Sequence, residues 1–294
     1  MNLADLETLL AVARERSFSR AAETLRRTQP AVSLAIRRLE AACGERLLDR
    51  GQPPRLTPAG EAVARRTERM LWHRGRMAQE LAELRGLQRG LVAVGANEST
   101  ALWLLPLIEA FHARHPRIKL EVRRSLSRNI PAEVLAGDLD LGVVAYDPGE
   151  PALDAAIVYQ DRLAFVVPPT HPLAAARRPI ALRRLATERF IAHNVESPYR
   201  DLTVGAFRRL QVPLNITLEL PTIESIKQLV ARGLGVAFVP RVSARRELET
   251  GALCEVAIRD FKVQRPLRLL APRHGALSHA AAAFRALALE RTPA

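Results

Sequence analysis

The 294-residue sequence predicts an α/β chain in three parts: a small helical unit, one long helix, and a larger region of alternating strands and helices. Three observations predict it. Apolar residues repeat at helical spacing in short runs over 1–50. They thin to a single stripe over 58–87. From Leu91 onward, strand-like runs alternate with helical ones. The length suits about two to three compact units, each with its own core.

The elements follow in order. Leu3, Leu6, Leu9, Leu10 and Val12 set a first helix. Ser17-Phe18-Ser19 interrupts it, and Ser19 reads as the N-cap of a second helix through Ala21, Ala22 and Leu25. Arg26-Arg27-Thr28 is a short turn. Gln29-Pro30 opens a third helix, with proline in the tolerated first turn; it runs to about Ala42, and Gly44 stops it. Residues 50–56, broken by Gly51, Pro53 and Pro54, fit a short two-stranded wing. Thr57-Pro58 restarts a helix, threonine as cap and proline at the first position.

That long helix is expected to reach about Leu87. Val63, Met70, Met77 and Leu84 recur every seven residues, joined by Leu81, with breaks at Thr67 and Arg74. A helix with one apolar stripe either folds onto its own domain or pairs with a second copy, and the seam favours pairing. Gly86 and Gly90 mark its end.

Beyond it, 91–94, 118–122 and 139–144 read as strands, and 102–115 (closed by Pro116) and 130–136 as helices. A second run has strands at 163–167, 190–192 and 236–239 and helices at 199–210, 222–232 and near 241–250. A strand at 267–270 and a helix at about 278–290 close the chain. The βαβα order implies a sheet whose ligand edge lies at the strand C-termini. Gly233-Leu234-Gly235 looks like half a dinucleotide fingerprint, but it precedes a strand and reads as a helix-to-strand turn.

Composition narrows the function. Formal net charge is +13, and three of the 44 basic residues are lysine. A basic chain favours polyanions, of which nucleic acid is the commonest. Residues 1–90 hold 17 arginines against 11 acids, net +6; residues 91–294 carry net +7 over more than twice the length. Charge alone therefore does not select the function. No apolar run of about 18 residues suggests a membrane span, and Asp5 and Glu7 disfavour a secretory signal. Cys43 and Cys254 are isolated, which excludes a metal-ligand spacing or a disulfide framework. These readings point to the cytoplasm, with no membrane partner. No nucleophile elbow, Walker loop, His-Glu-x-x-His or metal cluster is present, so neither enzyme nor cofactor is expected.

On a helical wheel of 29–40, Val32, Ala35, Ile36 and Leu39 share one face as a core stripe. Gln29, Ser33 and Arg37, spaced by four, form a polar ridge on another, with Leu34 beside it. A recognition helix needs this division: one face packs, the other offers an amide, a hydroxyl and a guanidinium to base edges in the major groove. Arg20, Thr28, Arg50 and Arg55 surround the ridge and suit phosphate contact. Any one of these residues alone reads as a solvated helix face. Helix, tight turn, helix, wing and basic flank in this order are harder to assign that way.

The run Phe18-Ser19-Arg20-Ala21-Ala22-Glu23-Thr24-Leu25, then Thr28-Gln29-Pro30-Ala31-Val32-Ser33, Ile36-Arg37-Arg38-Leu39-Glu40, Gly44, Leu47-Leu48, Arg50 and Leu56-Thr57-Pro58-Ala59-Gly60 resembles the N-terminal domain of LysR-type transcriptional regulators. It departs at Leu48, where the family usually has Phe, and at Thr28, where Ser is commoner. The resemblance implies a winged helix-turn-helix that binds double-stranded promoter DNA as a dimer, commonly a dimer of dimers, through the long helix. It also marks Gln29, Pro30, Ser33 and Arg37 as base-reading and phosphate positions.

More loosely, Leu104-Leu105-Pro106 with Phe111, His115 and Pro116, Gly137-Asp138-Leu139-Asp140-Leu141, His171-Pro172-Leu173 and Gly233–Pro240 resemble the family's effector domain. That implies a two-subdomain α/β fold like periplasmic binding proteins, with a small-molecule effector between the halves. The expected division is 1–57 for the winged helix-turn-helix and 58–89 for the linker helix. Residues 90–167 with 266–294 then form subdomain I, and 168–265 subdomain II. A metabolic enzyme with an incidental helix-turn-helix, or a solute-binding protein, is the alternative; residues 1–60 argue against both.

The cleft candidates are Asn97, Glu98, Ser99 and Thr100 after the first strand, Ser125 and Ser127 after the second, His193 and Asn194 after 190–192, Thr222 before a helix, and Phe238. Helix N-termini facing the cleft would suit a small carboxylate or phosphate. Glu98 and Glu196 in the same loops would repel an anion unless they point away, which keeps a zwitterion or an amine-bearing ligand open. Ser99 and Thr100 also read as plain helix caps, and His193 as an ordinary loop residue.

Overall fold

The computed structural model describes residues 1–49, 51, 53–84, 90–195, 197–274 and 277–291. Arg50, Glu196, Gly86 and Leu87 lie outside them. The chain divides into two compact units, Met1–Arg85 and Gly86–Ala294.

In the first unit, helices α1 (Leu3–Glu15), α2 (Phe18–Thr24) and α3 (Gln29–Cys43) enclose one core built on Leu6, Leu9, Val12, Val32, Ile36 and Leu39. The N-cap of α2 is Ser17, not Ser19: the Ser17 hydroxyl accepts from the Arg20 amide, and Ser19 is already helical. Arg26 takes a left-handed φ of 53° in the tight turn. Thr28 caps α3, and Gly44 ends it at a φ of 70°. The wing is minimal, an antiparallel bridge between Leu48 and Leu56. The Glu40 carboxylate anchors it by accepting from the amides of Leu47 (2.9 Å) and Leu48 (3.3 Å). Helix α4 (Pro58–Leu84) starts against this strand. A Cβ on Gly60 would lie 2.0 Å from the Leu47 carbonyl oxygen, so only glycine permits the approach. Met70, Met77 and Leu81 are half or more exposed on α4.

The second unit is organised by two long antiparallel strands, β4 (Leu153–Val167) and β9 (Gln264–Pro272). Strands β1 (Leu91–Ala96), β2 (Lys119–Arg124) and β3 (Leu141–Val144) extend from β9 in the order β2-β1-β3-β9-β4. Helices α5 (Glu98–Arg114) and α10 (His279–Glu290) cover one face, where Phe111 meets Phe284 edge to face at 5.1 Å. Helix α6 (Ile130–Leu135) covers the other. The Ile130 side chain occupies the space that a Cβ on Gly142 would need, 2.3 Å away.

Past Arg162, β4 exchanges β9 for β7 (Ala237–Pro240), pairing Leu163 with Pro240 through Val166 with Ala237. Here α7 (Pro198–Arg209) and α8 (Ile223–Ala231) flank β5 (Arg189–His193) and β6 (Asn215–Leu220). Phe165 and Phe190 pack toward Phe207 of α7, and Ala164, Val166 and Ile191 toward Ile226 and Val230 of α8. Helix α9 (Arg241–Thr250) and the short β8 (Cys254–Glu255) complete this half. Gly233 turns α8 toward β7 at a φ of 77°, which is the helix-to-strand reading.

Three spans differ from the sequence reading. Helix α5 starts at Glu98, four residues before Leu102, because Asn97 caps it. Strand β4 begins at Leu153, ten residues before 163. Strand β6 was not expected, although Ile216, Leu218 and Leu220 alternate inward. No described helix is long and apolar enough to cross a membrane, and the described residues hold no metal-binding cluster.

Candidate functional sites

The first unit presents α3 with its core stripe down. Val32, Ala35, Ile36 and Leu39 are buried, while Gln29, Pro30 and Arg37 are exposed and Ser33 half-buried. Leu34 is 51% exposed beside them, an apolar surface suited to a thymine methyl. The Thr28 hydroxyl accepts from the Ala31 amide at 3.4 Å and caps the helix start, which leaves its own proton to donate. Arg20 is exposed, its guanidinium donating to the Glu15 carbonyl, and Arg55 is exposed on the wing. Arg38, which the wheel passed over, is tied to buried Asp5 at 2.8 Å and fixes α3 to α1.

In the second unit, a cleft of about 760 Å³ opens where the C-terminal ends of β1, β2 and β5 face one another. Asn97, Glu98, Ser99, Ser125, Ser127, His193 and Phe238 line it, as the strand-end reading expected. Three candidates lie elsewhere. Thr100 is fully buried, with its hydroxyl bonded to the Asn97 amide (3.0 Å) and the Val143 carbonyl (3.3 Å). Asn194 is exposed beside the cleft, and its amide donates to Leu220. Thr222 faces its own helix, capping α8 by accepting from the Ser225 amide at 3.2 Å.

Each helix start at the cleft carries a cap from its own chain. Asn97 Oδ1 accepts from the Thr100 amide (2.9 Å) and Asn97 Nδ2 donates to Ser127 (2.6 Å). Ser197 caps α7. The first amide of α8, Ile223 N–H, donates to Glu98 Oε1 at 3.0 Å, so Glu98 does not point away: it crosses the cleft. These bonds take one or two of the free amides at each helix start.

Cations stand beside them. Arg265 lies at the cleft wall, opposite Asp161 in the β4–β9 register, and their ion pair spans 2.7 Å with side chains 4% and 1% exposed. The same guanidinium donates to Ser99 Oγ and stands 5.3 Å over the Tyr199 ring. The Tyr199 hydroxyl donates to the Ala145 carbonyl, and burial pushes its phenol up, keeping it protonated. Arg200 bonds Glu219 and the His193 carbonyl. Arg124 and Arg128 line the cleft with no hydrogen bond or ion pair among the described residues. Sequence reading missed all four arginines. Arg124 and Arg128 flank the chosen Ser125 and Ser127, and in a chain with 41 arginines their type carried no contrast.

Comparison with known proteins completes the picture. Residues 3–61 match the family described as "Bacterial regulatory helix-turn-helix protein, lysR family", and 85–293 match "LysR substrate binding domain". A "Probable RuBisCO transcriptional regulator" from Synechocystis sp. is 32% identical over 290 residues, covering 96% of this chain and 84% of its own length. Full-length CbnR complexed with its target DNA has a TM-score of 0.80 at 21% identity, covering 99% of each chain. The Synechocystis CcmR regulatory domain in complex with 2-PG has a TM-score of 0.63 at 22% identity, covering 69% of this chain and 98% of that one.

Proposed function

The chain belongs to the LysR family of bacterial regulatory helix-turn-helix proteins, and from that premise we propose that its effector is a small anion gripped by arginines in the cleft. The protein is a DNA-binding transcriptional regulator with an effector-binding domain. One observation carries the anion reading: Arg124 and Arg128 line the cleft with no hydrogen bond or ion pair of their side chains among the described residues. The 2-PG bound by the CcmR domain is consistent with this class.

The rest of the proposal follows the same line. Gln29, Ser33 and Arg37 read bases, with Leu34 at their side, and Thr28, Pro30, Arg20, Arg50 and Arg55 set the helix on phosphates. The exposed seam of α4 pairs two copies, and two such pairs form the tetramer. The protein acts in the cytoplasm without catalysing a reaction. The division 1–57, 58–89, 90–167 with 266–294, and 168–265 assigns these tasks along the chain. Effector binding shifts the population between subdomain arrangements and so changes the grip on promoter DNA.

Footprinting upstream of its own and adjacent genes, with 2-PG and with shikimate as probes, tests both halves. Arg37→Ala and Ser33→Ala should each cost about 1–3 kcal/mol of specific binding with oligomeric state unchanged. Unchanged specific affinity in both refutes the recognition ridge. Footprints that neither anion alters in the wild type, or that Arg124→Ala leaves equally responsive, refute the arginine site.

A further inference from the structure

Among the described residues the cleft lining holds one acid, Glu98, and its placement is specific. Glu98 stands at the first position of α5, in subdomain I, yet its Oε1 accepts from Ile223 N–H of α8, in subdomain II, 125 residues away. Its second oxygen is not used in the same way. Glu98 Oε2 lies 3.9 Å from His193 Nε2, beyond hydrogen-bond distance, and that nitrogen is bonded to the Pro221 carbonyl at 3.0 Å. A carboxylate side chain 31% exposed on the cleft lining thus keeps one oxygen fixed and leaves the other an acceptor with no hydrogen bond among the described residues.

We propose that Glu98 is the specificity-determining residue of the cleft, selecting anions that also carry a hydroxyl or ammonium donor. The inference rests on the reading of the cleft as an anion site. The lining carries both signs of charge. Arg124 and Arg128 offer guanidiniums with no hydrogen bond or ion pair among the described residues, and Glu98 Oε2 offers an acceptor bearing negative charge. A ligand that is anionic throughout meets repulsion at Glu98. A ligand with an apolar end leaves Oε2 desolvated and unpaired, which costs more than the contact it makes. A hydroxy acid, a phosphorylated alcohol with a free hydroxyl, or a zwitterion satisfies both charges. Because Oε1 holds α8 at the same time, the donor reads a group already fixed across the two subdomains.

The test uses the full-length protein and alkyl phosphates of two to four carbons ending in methyl, hydroxyl or ammonium, titrated by calorimetry. Glu98→Gln is the informative variant, since its amide oxygen still accepts from Ile223 N–H while the charge is gone. For the wild type, the ammonium and hydroxyl forms should bind roughly five- to tenfold tighter than the methyl form of equal length. In Glu98→Gln the ammonium preference should fall to within about twofold, and the methyl form should bind tighter than it does to the wild type. Binding without that ranking, or a ranking that survives Glu98→Gln, overturns the assignment of Glu98 and leaves the anion site standing. Failure of every phosphate to bind either protein overturns both.

Discussion

Arg265→Met removes a guanidinium and keeps an unbranched apolar stem of similar reach. Asp161 is then left buried, 1% exposed, with the Val242 amide at 3.1 Å as its hydrogen-bond partner among the described residues. Removing one partner of a buried pair typically costs about 3–5 kcal/mol, because the other charge stays behind unpaired. For a unit of this size each kcal/mol moves Tm by about 2–4 °C, so the transition should fall by roughly 6–20 °C. Differential scanning calorimetry reads it directly. The double variant Asp161→Leu with Arg265→Met removes both charges and should recover most of the loss, since apolar replacement of a buried pair is often neutral or better. A single variant within about 1 kcal/mol of the wild type, or a double variant no more stable than the single, would refute the reasoning.

Three further outcomes are expected. Met77→Glu places a charge on the exposed seam of α4 and should shift the protein toward monomer in analytical ultracentrifugation; an unchanged assembly excludes the seam as the interface. Gly60→Ala forces α4 off the Leu47 carbonyl and should cost about 1–3 kcal/mol in urea unfolding followed at the first unit, with a loss under 0.5 kcal/mol counting against the contact. The third concerns pH. Hydrogen bonds from Lys227 and then Gln228 hold the Glu224 carboxyl below its usual range. A carboxyl whose folded pKa is lowered contributes stability that is present above its ordinary range and is lost as pH falls through the folded value. Burial acts to lower Lys227, but its bonds to Glu224 and Glu247 outweigh that and raise it, so its contribution holds until pH exceeds the ordinary lysine range. Lys227→Met should therefore flatten the acid limb of the urea midpoint between pH 3 and pH 6; a parallel limb in wild type and variant contradicts this.

Much of the fold was legible because local signals agreed with it. The spacing of Val32, Ala35, Ile36 and Leu39 has one low-energy reading, and Thr28, Pro30 and Gly44 mark the ends of α3 by mechanisms that act within a few residues. The first ten residues of β4 were not legible. Leu153 to Arg162 mixes Asp154, Gln160, Asp161 and Arg162 into a strand whose partner, β9, lies about a hundred residues away, and only that pairing makes it a strand. The cleft divides the same way. Residues at strand ends, such as Asn97 and Ser125, are predictable from topology. Arg265 enters from the opposite end of the chain, and Glu98 acquires meaning only through its bond to Ile223. Thr100, read both as a cap and as a cleft residue, takes the capping role, because a capping hydroxyl and a ligand-binding hydroxyl share one local signature.

The partner exchange of β4 at Arg162 bears on how far the two halves can move. Both connections between them, β4 and β9, run side by side and remain hydrogen-bonded to each other through Arg162 and Gln264. A single tether would allow swivelling in any direction. Two laced ribbons bend together about a line across their width and resist shear along their length. The halves should thus open and shut like a book, with the Asp161–Arg265 pair stitched into its spine. A message sent from this cleft would then be an angle of a few degrees, carried by stiff pages, and not a loosening of the binding.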